Sequence, residues 1–338
     1  MYRLVRPLLF RLDPEKAHDL TLRLVGLAGH LPPLGAALRL WFSAPPKPAQ
    51  VFGLTFRNPV GLAAGYDKDG TAWRGLAALG FGHIEIGTVT PRPQPGNPRP
   101  RVFRLPQDRA VINRMGFPGR GADFVLKQLQ GPRPKDLVLG VNLGKNKDTP
   151  LEAAGADYCT LVSLFAPLAD YLAINISSPN TEGLRRLQHR SALESLLAAV
   201  NAEREAQSQR TGKRTPVLVK LAPDLSDSEL DDALDVILHS GMDGVIATNT
   251  TTGRAGLRSP RADETGGLSG APLQKRSTAV IRQVHQRTGG KLPVIGVGGV
   301  LDAASAREKL DAGASLVQVY TGLIYAGPGL VRQIIREL

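Results

Sequence analysis

Tyr171-Leu172-Ala173-Ile174-Asn175-Ile176-Ser177-Ser178-Pro179-Asn180-Thr181 passes abruptly from apolar to polar. The β-branched run around Ile174 and Ile176 reads as a buried strand, and Pro179 keeps that strand from continuing. The strand therefore delivers two amides (Asn175, Asn180) and two hydroxyls (Ser177, Ser178) to its carboxyl end. Uncharged donors and acceptors there suit a planar, polar, hydrogen-bonding ligand, and suit a metal or a phosphoester poorly. Taken alone, residues 174–181 read equally well as an Asx/Ser turn closing a strand. What separates the two readings is whether similar strand ends recur.

They do recur. From residue 60 onward, apolar β-rich runs fall at Val60–Ala64, His83–Val89, Leu137–Leu143, Tyr171–Ile176, Val217–Leu221, Gly244–Thr248, Pro293–Val297 and Leu316–Tyr320. Helical patterns follow each in turn, at Gly70–Leu79, Gly119–Leu129, Tyr158–Ala166, Ala192–Gln209, Asp227–His239, Thr278–Arg287, Ala303–Asp311 and Gly329–Leu338. Strands apolar on both faces, alternating with helices, imply a parallel sheet covered by helices. Eight such units predict an α/β protein with a closed (β/α)8 TIM barrel, the alternative being an open doubly wound sheet. Ser226-Asp227-Ser228-Glu229 predicts a capped helix start, with Leu230, Ala233, Leu234, Ile237 and Leu238 on one face. Two connections are long, Thr90 to Arg120 and Thr251 to Ser277, and such loops more often cover an active site than fill space.

Residues 1–48 differ from the barrel at 49–338. Asp13-Pro14 is a strong helix start, and Ala17, Leu20, Leu24, Leu27 and Leu31 then share one side. Pro32-Pro33 ends that helix. A second short helix spans Leu34 to Phe42, and Pro45-Pro46-Lys47-Pro48 is a stiff linker. This two-helix N-terminal extension could lie on a membrane surface, or it could cap the barrel or make a dimer contact.

The chain has 338 residues, 42% of them hydrophobic and 21% charged, enough for one large core. It has no apolar run of about 18 residues, so no membrane span is expected. The start lacks a signal-peptide pattern. A single Cys159 excludes an internal disulfide framework and reads as an inert core thiol. The net charge of +12 concentrates in residues 1–47 and 92–120, favouring anionic partners or simply a solvated basic surface. Nucleic acid is not expected, because the Arg-rich stretch is broken by Pro and Gly and matches no binding module.

Active sites of barrel enzymes gather at the carboxyl ends of the strands. Here those ends carry Ala64-Gly65-Tyr66-Asp67-Lys68, Gly87-Thr88, Asn142, Asn175 with Ser178 and Asn180, Lys220, Thr248-Asn249-Thr250, Gly298-Gly299 and Tyr320-Thr321-Gly322. The glycine turns after strands seven and eight can form a backbone anion nest. Lys68 and Lys220 lie four strands apart, so one can hold a substrate carboxylate and the other can offset charge on a cofactor ring. A Schiff-base role for either is the less favoured option. Asn142, Asn175, Asn180 and Asn249 can satisfy an imide-like heterocycle. No histidine stands at these ends or at metal-ligand spacing, so no metal is expected.

The chain resembles the quinone-dependent (class 2) dihydroorotate dehydrogenases along nearly its whole length. The similarity lies in Ala63–Gly70, Glu85–Asn97, Asn113–Phe117, Asn142–Lys147, Asn175–Thr181, Thr248–Thr251, Gly266–Gly270 and Gly296–Gly299. The resemblance implies a barrel that binds FMN and oxidises dihydroorotate to orotate in pyrimidine synthesis, passing electrons to a membrane quinone. It implies Ser178 as the catalytic base, where class 1 enzymes have cysteine, with Thr181 as the next member of a proton relay. It implies substrate contacts from Lys68, Asn113, Arg114, Met115, Gly116, Phe117, Asn175, Asn180, Asn249 and Thr250. The implied FMN contacts are Ala64, Gly65, Lys68, Thr88, Asn142, Asn175, Lys220, Thr248, Gly270, Gly299, Tyr320 and Thr321. His18, Arg104 and Tyr320 match residues of a quinone tunnel, and the N-terminal helices match its membrane face. This places the protein peripherally on the cytoplasmic face of the bacterial cell membrane, as a monomer or weak homo-oligomer. Tyr66 departs from the pattern, which has a smaller apolar residue there. The alternatives are a class 1-like FMN dihydropyrimidine oxidoreductase with a soluble acceptor, and a non-catalytic basic scaffold for acidic lipid or nucleic acid.

Overall fold

The alternation of apolar runs and helices closes on itself. In the computed structural model, which describes residues 2–338, eight parallel strands form a closed barrel. They span Val60–Leu62, His83–Val89, Val138–Leu143, Tyr171–Asn175, Val217–Leu221, Gly244–Ala247, Val294–Val297 and Leu316–Val319. Closure comes from strand eight pairing with strand one, Val317 opposite Val60 and Val319 opposite Leu62.

The strands read as continuous apolar runs because both of their faces are buried. Strand four divides its residues by the period of two: Leu172 and Ile174 pack outward among the helices, while Tyr171 and Ala173 point into the barrel. In strand five Val217, Val219 and Leu221 pack outward, which turns Lys220 inward. Ile84 and Ile86 of strand two do the same, which turns Glu85 inward. Pleating alone therefore gathers the polar residues of these strands along the barrel axis. At the opposite end a hairpin, Ala49–Val51 paired with Leu54–Phe56, plugs the barrel with Phe56.

Helices Asp227–His239 and Ala303–Asp311 lie where the pattern put them, each with a capping box at Ser226 or Asp302. The two long connections meet in a three-stranded antiparallel sheet of Val102–Leu105, Ala110–Asn113 and Gly267–Gly270. Gly267 pairs with Asn113 and Gly270 with Ala110, so residues from the second and sixth units form one cover over the barrel mouth.

Among the described residues three helices precede the barrel rather than two: α1 (Tyr2–Arg11), α2 (Pro14–His30) and α3 (Pro32–Phe42). Pro7 inside α1 hides it from periodicity; tertiary bonds hold it, from the Tyr2 hydroxyl to Ile324 O (2.5 Å) and from Arg6 to Tyr325 O (3.1 Å). Asp13 caps α2 by accepting from the amides of Glu15 and Lys16. The leucine stripe of α2 does not face the barrel. Its contact face is small residues, and a Cβ on Gly75 would stand 1.9 Å from Val25 O, so α2 and the helix Trp73–Ala77 touch through bare backbone. Leu20, Leu24 and Leu27 are left in the open, as are Leu40 and Trp41 of α3. Among the described residues no helix is long and apolar enough to cross a membrane.

Candidate active site

The polar strand ends meet. Ala64, Gly65, Lys68, Thr88, Asn113, Met115, Gly116, Phe117, Asn175, Ser178, Asn180, Lys220, Thr248, Asn249, Thr250, Gly270, Gly299, Tyr320 and Thr321 all line one cleft at the carboxyl ends of the strands. It holds about 970 Å³ of atom-free space including its mouth. Asn142 lies just behind the wall, and Arg114 and Thr181 lie outside it.

The floor of the cleft is a hydrogen-bonded layer built on Glu85, which is fully buried. Its carboxylate accepts from Asn142 Nδ2 (2.8 Å), the Tyr171 hydroxyl (3.0 Å), Gln318 Nε2 (3.0 Å) and Lys220 Nζ (3.4 Å). Burial and the adjacent carboxylate push the Tyr171 hydroxyl well above its ordinary range. Asn142 Oδ1 in turn accepts from the Thr88 hydroxyl (2.5 Å) and Asn175 Nδ2 (3.0 Å). The Asn142 amide is thus spent on orienting its neighbours, and Thr88, Asn175 and Lys220 face the cleft. Neither Glu85 nor Gln318 stood out in the sequence as a site residue. The one signal was a lone carboxylate inside the otherwise uncharged core of the run His83–Val89.

The rim is looser. Lys68 Nζ donates to Gly65 O at 2.7 Å, and burial lowers its pKa. Ser178 is buried, and its Oγ accepts from the Asn180 amide at 3.2 Å. Asn180 Nδ2 donates to Asn113 Oδ1 at 3.2 Å, joining strand four to the cover sheet. Among the described residues no hydrogen bond links Ser178 to Thr181, so a relay between them requires a bridging water. Arg185, also unforeseen, clamps the loop behind Ser178. It donates to Ser177 O (3.1 Å), Asp224 (2.8 Å) and Thr250 O (2.9 Å).

Gly298 and Gly299 follow strand seven with φ of 114° and 74°. A Cβ on Gly299 would stand 2.5 Å from Gln274 Cα, so the turn needs glycine and keeps its amides uncovered. After the neighbouring strand the Thr321 hydroxyl is hydrogen-bonded to Ser269 at 2.8 Å. Amide-rich glycine turn, amide-lined wall and a lysine at the floor suit one elongated ligand with a phosphate at one end and a planar imide at the other. That is the donor set a flavin nucleotide needs.

A second, apolar cavity of about 1320 Å³ lies between α1, α2 and the barrel. His18, Arg104 and Tyr320 are among its lining residues. Lys68, Asn113, Met115 and Tyr320 border both cavities. Tyr66 supplies an aromatic step between them, its ring 4.9 Å from His18 and 5.6 Å from Tyr320. Burial, with Lys68 nearby, pulls the His18 pKa down to about 4, so the imidazole is neutral. Arg104 is pinned by the carbonyls of Leu9 (3.0 Å) and Leu12, with its guanidinium 4.6 Å from the Phe10 ring centre. Cys159 stands apart, half-buried on the helix Ala154–Phe165, and burial raises its pKa.

Fold and site together define a flavin-dependent oxidoreductase on a (β/α)8 barrel, with an apolar chamber against its reaction cleft. The chain belongs to the dihydroorotate dehydrogenase family, whose pattern it matches over residues 48–338. The dihydroorotate dehydrogenase (quinone) of Burkholderia cenocepacia strain J2315 is 52% identical over 339 aligned positions, which cover 100% of this chain and 97% of the relative. That of Paraburkholderia phymatum, with the same name, is 53% identical at the same coverage. The structure of the Eimeria tenella enzyme in complex with ferulenol superposes with a TM-score of 0.89 at 44% identity, covering 96% of this chain and 90% of that one. Its ligand-free form gives a TM-score of 0.88.

Proposed function

We propose that the protein oxidises (S)-dihydroorotate to orotate on FMN and delivers the electrons to a membrane quinone that enters through the apolar cavity. One observation carries this. The polar cleft and the apolar chamber share a wall at Lys68, Asn113, Met115 and Tyr320, so a substrate and a lipophilic acceptor can approach one ring from two sides. An acceptor such as NAD or fumarate needs no apolar chamber, and the relatives carry the quinone name.

Bound in the cleft, FMN supplies the hydride acceptor for the substrate and the electron donor for the quinone. The chain's own residues do the rest. Ser178 Oγ takes the proton from ring carbon 5 of dihydroorotate. A serine hydroxyl holds its own proton far above neutral pH, so it needs an exit for that proton, and Thr181 is the next group along the loop. Lys68 pairs with the substrate carboxylate. Asn113, Asn175, Asn180, Asn249 and Thr250 hold the ring by donor–acceptor pairs, and Arg114 to Phe117 close the cover over it. Lys220, steadied by Glu85, offsets negative charge on the cofactor ring. Ala64, Gly65, Thr88, Thr248 and Gly270 shape the cofactor bed; Gly299 and Thr321 receive its phosphate.

The open leucines of α1 to α3 and the flanking arginines support a peripheral position for the mouth of the chamber on an anionic membrane surface, on the cytoplasmic side. The test is anaerobic mixing with dihydroorotate while following flavin absorbance near about 450 nm. Bleaching that a quinone reverses, and that NAD and fumarate do not, is the expected result. A protein that does not bleach, or that fumarate or NAD reoxidises as fast, ends the proposal.

A further inference from the structure

Lys309 is a buried cation that nothing above uses. It lies on the helix Ala303–Asp311 and is 0% exposed. Its Nζ donates to Ser277 Oγ (3.1 Å) and Thr278 Oγ1 (3.2 Å). Both acceptors are neutral, and among the described residues Lys309 has no ion-pair partner. Neither hydroxyl needs the lysine, since Ser277 already donates to Val297 O and Thr278 to Gln274 O (2.9 Å). A buried ammonium without an ion-pair partner is costly, and here burial, opposed in part by the Glu308 carboxylate, draws its pKa down to about 8. Proteins keep such groups charged when an anion comes close.

The anion position is next door. Val297, whose carbonyl holds Ser277, is the last residue of strand seven and leads directly into Gly298-Gly299. A Cβ on Gly298 would stand 3.0 Å from Ser277 Cβ. Lys309 therefore sits one side chain behind the glycine turn, with only packed protein between. We propose that Lys309 is the buried counter-charge for the phosphate of FMN, acting through the protein from behind the turn rather than by contact. Lys309 and Ser277 are both fully buried, so the attraction is weakly screened and reaches further than it would at the surface. Lys309 is not catalytic; it sets how firmly the phosphate end is held. This rests on the FMN assignment above.

The test compares FMN with riboflavin, which has the same ring and no phosphate. The full chain is stripped of flavin and titrated with each, with binding read from flavin fluorescence. Wild-type protein that fails to prefer FMN would overturn the FMN assignment itself. Given that preference, Lys309→Met should weaken FMN by about tenfold or more and leave riboflavin within about twofold, because a long-range charge term acts only on the charged ligand. Equal losses for both flavins would make Lys309 a packing residue and overturn the proposal, as would undiminished FMN affinity. If the Met variant does not fold, Lys309→Gln keeps a donor for Ser277 without the charge, and the same narrowing of the FMN-to-riboflavin ratio is expected. If neither neutral variant folds, the fold itself requires the lysine and the assignment falls.

Discussion

Lys220 Nζ stands 3.4 Å from Glu85 Oε1 inside the barrel, with side-chain exposures of 6% and 0%. Four donors converge on that carboxylate, from Lys220, Asn142, Tyr171 and Gln318. Glu85→Gln would set an NH2 group against at least one of them and leave the ammonium without its counter-charge. Removing one partner of a buried pair costs about 3 kcal/mol or more. We expect that loss in urea unfolding, together with a rise in flavin midpoint potential from the uncompensated positive charge. A variant as stable as wild type, with an unshifted potential, would remove Glu85 from its place at the foundation of the site.

Ser178→Ala leaves the FMN bed untouched, because the alanine methyl fits where the Oγ accepts only the Asn180 amide. Flavin should stay bound, and its reduction by dihydroorotate should slow by about 10²- to 10⁴-fold, the usual contribution of a general base. Ser178→Cys should restore part of the rate with a pH profile that rises at lower pH, since a thiol ionises near about 8.5. Rapid anaerobic mixing measures both; full-speed reduction in the alanine variant would rule the serine out as base.

The barrel was legible because fully buried strands carry an unbroken apolar signal, and each polar residue that ended one marked the rim. Asn175, Lys220 and Thr248 were found that way and do line one cleft. What pattern could not give is which residue stands behind which. Glu85 and Gln318 face the barrel axis from strands two and eight, far apart in sequence, and meet only after closure. Which way the leucines of α2 face stays open in the sequence for a related reason. Periodicity finds an apolar face but cannot say that Gly26 and Gly75 make the opposite, smaller face the contact. α1 was missed because its hold on Ile324 and Tyr325 is tertiary.

Arg185 ties Ser177 O, Thr250 O and Asp224 together without touching the cleft. Arg185→Leu removes three charge-assisted bonds, each worth about 1.5 kcal/mol or more, from the loop that carries Ser178 and Asn180. The expected result is a KM for dihydroorotate raised about tenfold or more, with FMN retained. Unchanged KM in steady-state turnover would show that the loop holds its shape without the clamp.

Leu24 and Leu27 on α2 are 59% and 55% exposed and line neither cavity. Replacing both with glutamate should abolish co-sedimentation with anionic vesicles, because two buried leucines contribute roughly 2 kcal/mol each to surface insertion. Turnover with a short-chain, water-soluble quinone should stay near wild type. Vesicle binding that survives the double substitution would move the membrane contact off this face.

His83 is fully buried at the closed end of the barrel, packed at 5.4 Å against Phe56, and among the described residues neither ring nitrogen has a partner. Burial lowers its pKa to about 3. The unfolded chain therefore binds a proton near pH 6.5 that the folded protein refuses, and stability falls as pH drops below that value. Above pH 6.5 both states are neutral and the effect vanishes. By pH 5 the cost from this one residue is about 2 kcal/mol, from roughly 1.4 kcal/mol per pH unit below the unfolded pKa. His83→Leu, apolar and close in volume, should leave neutral-pH stability within about 1.5 kcal/mol of wild type. It should also flatten the decline between pH 6.5 and 5 by about 2 kcal/mol in urea unfolding. An acid limb as steep as that of wild type would mean that His83 finds a proton acceptor inside the fold.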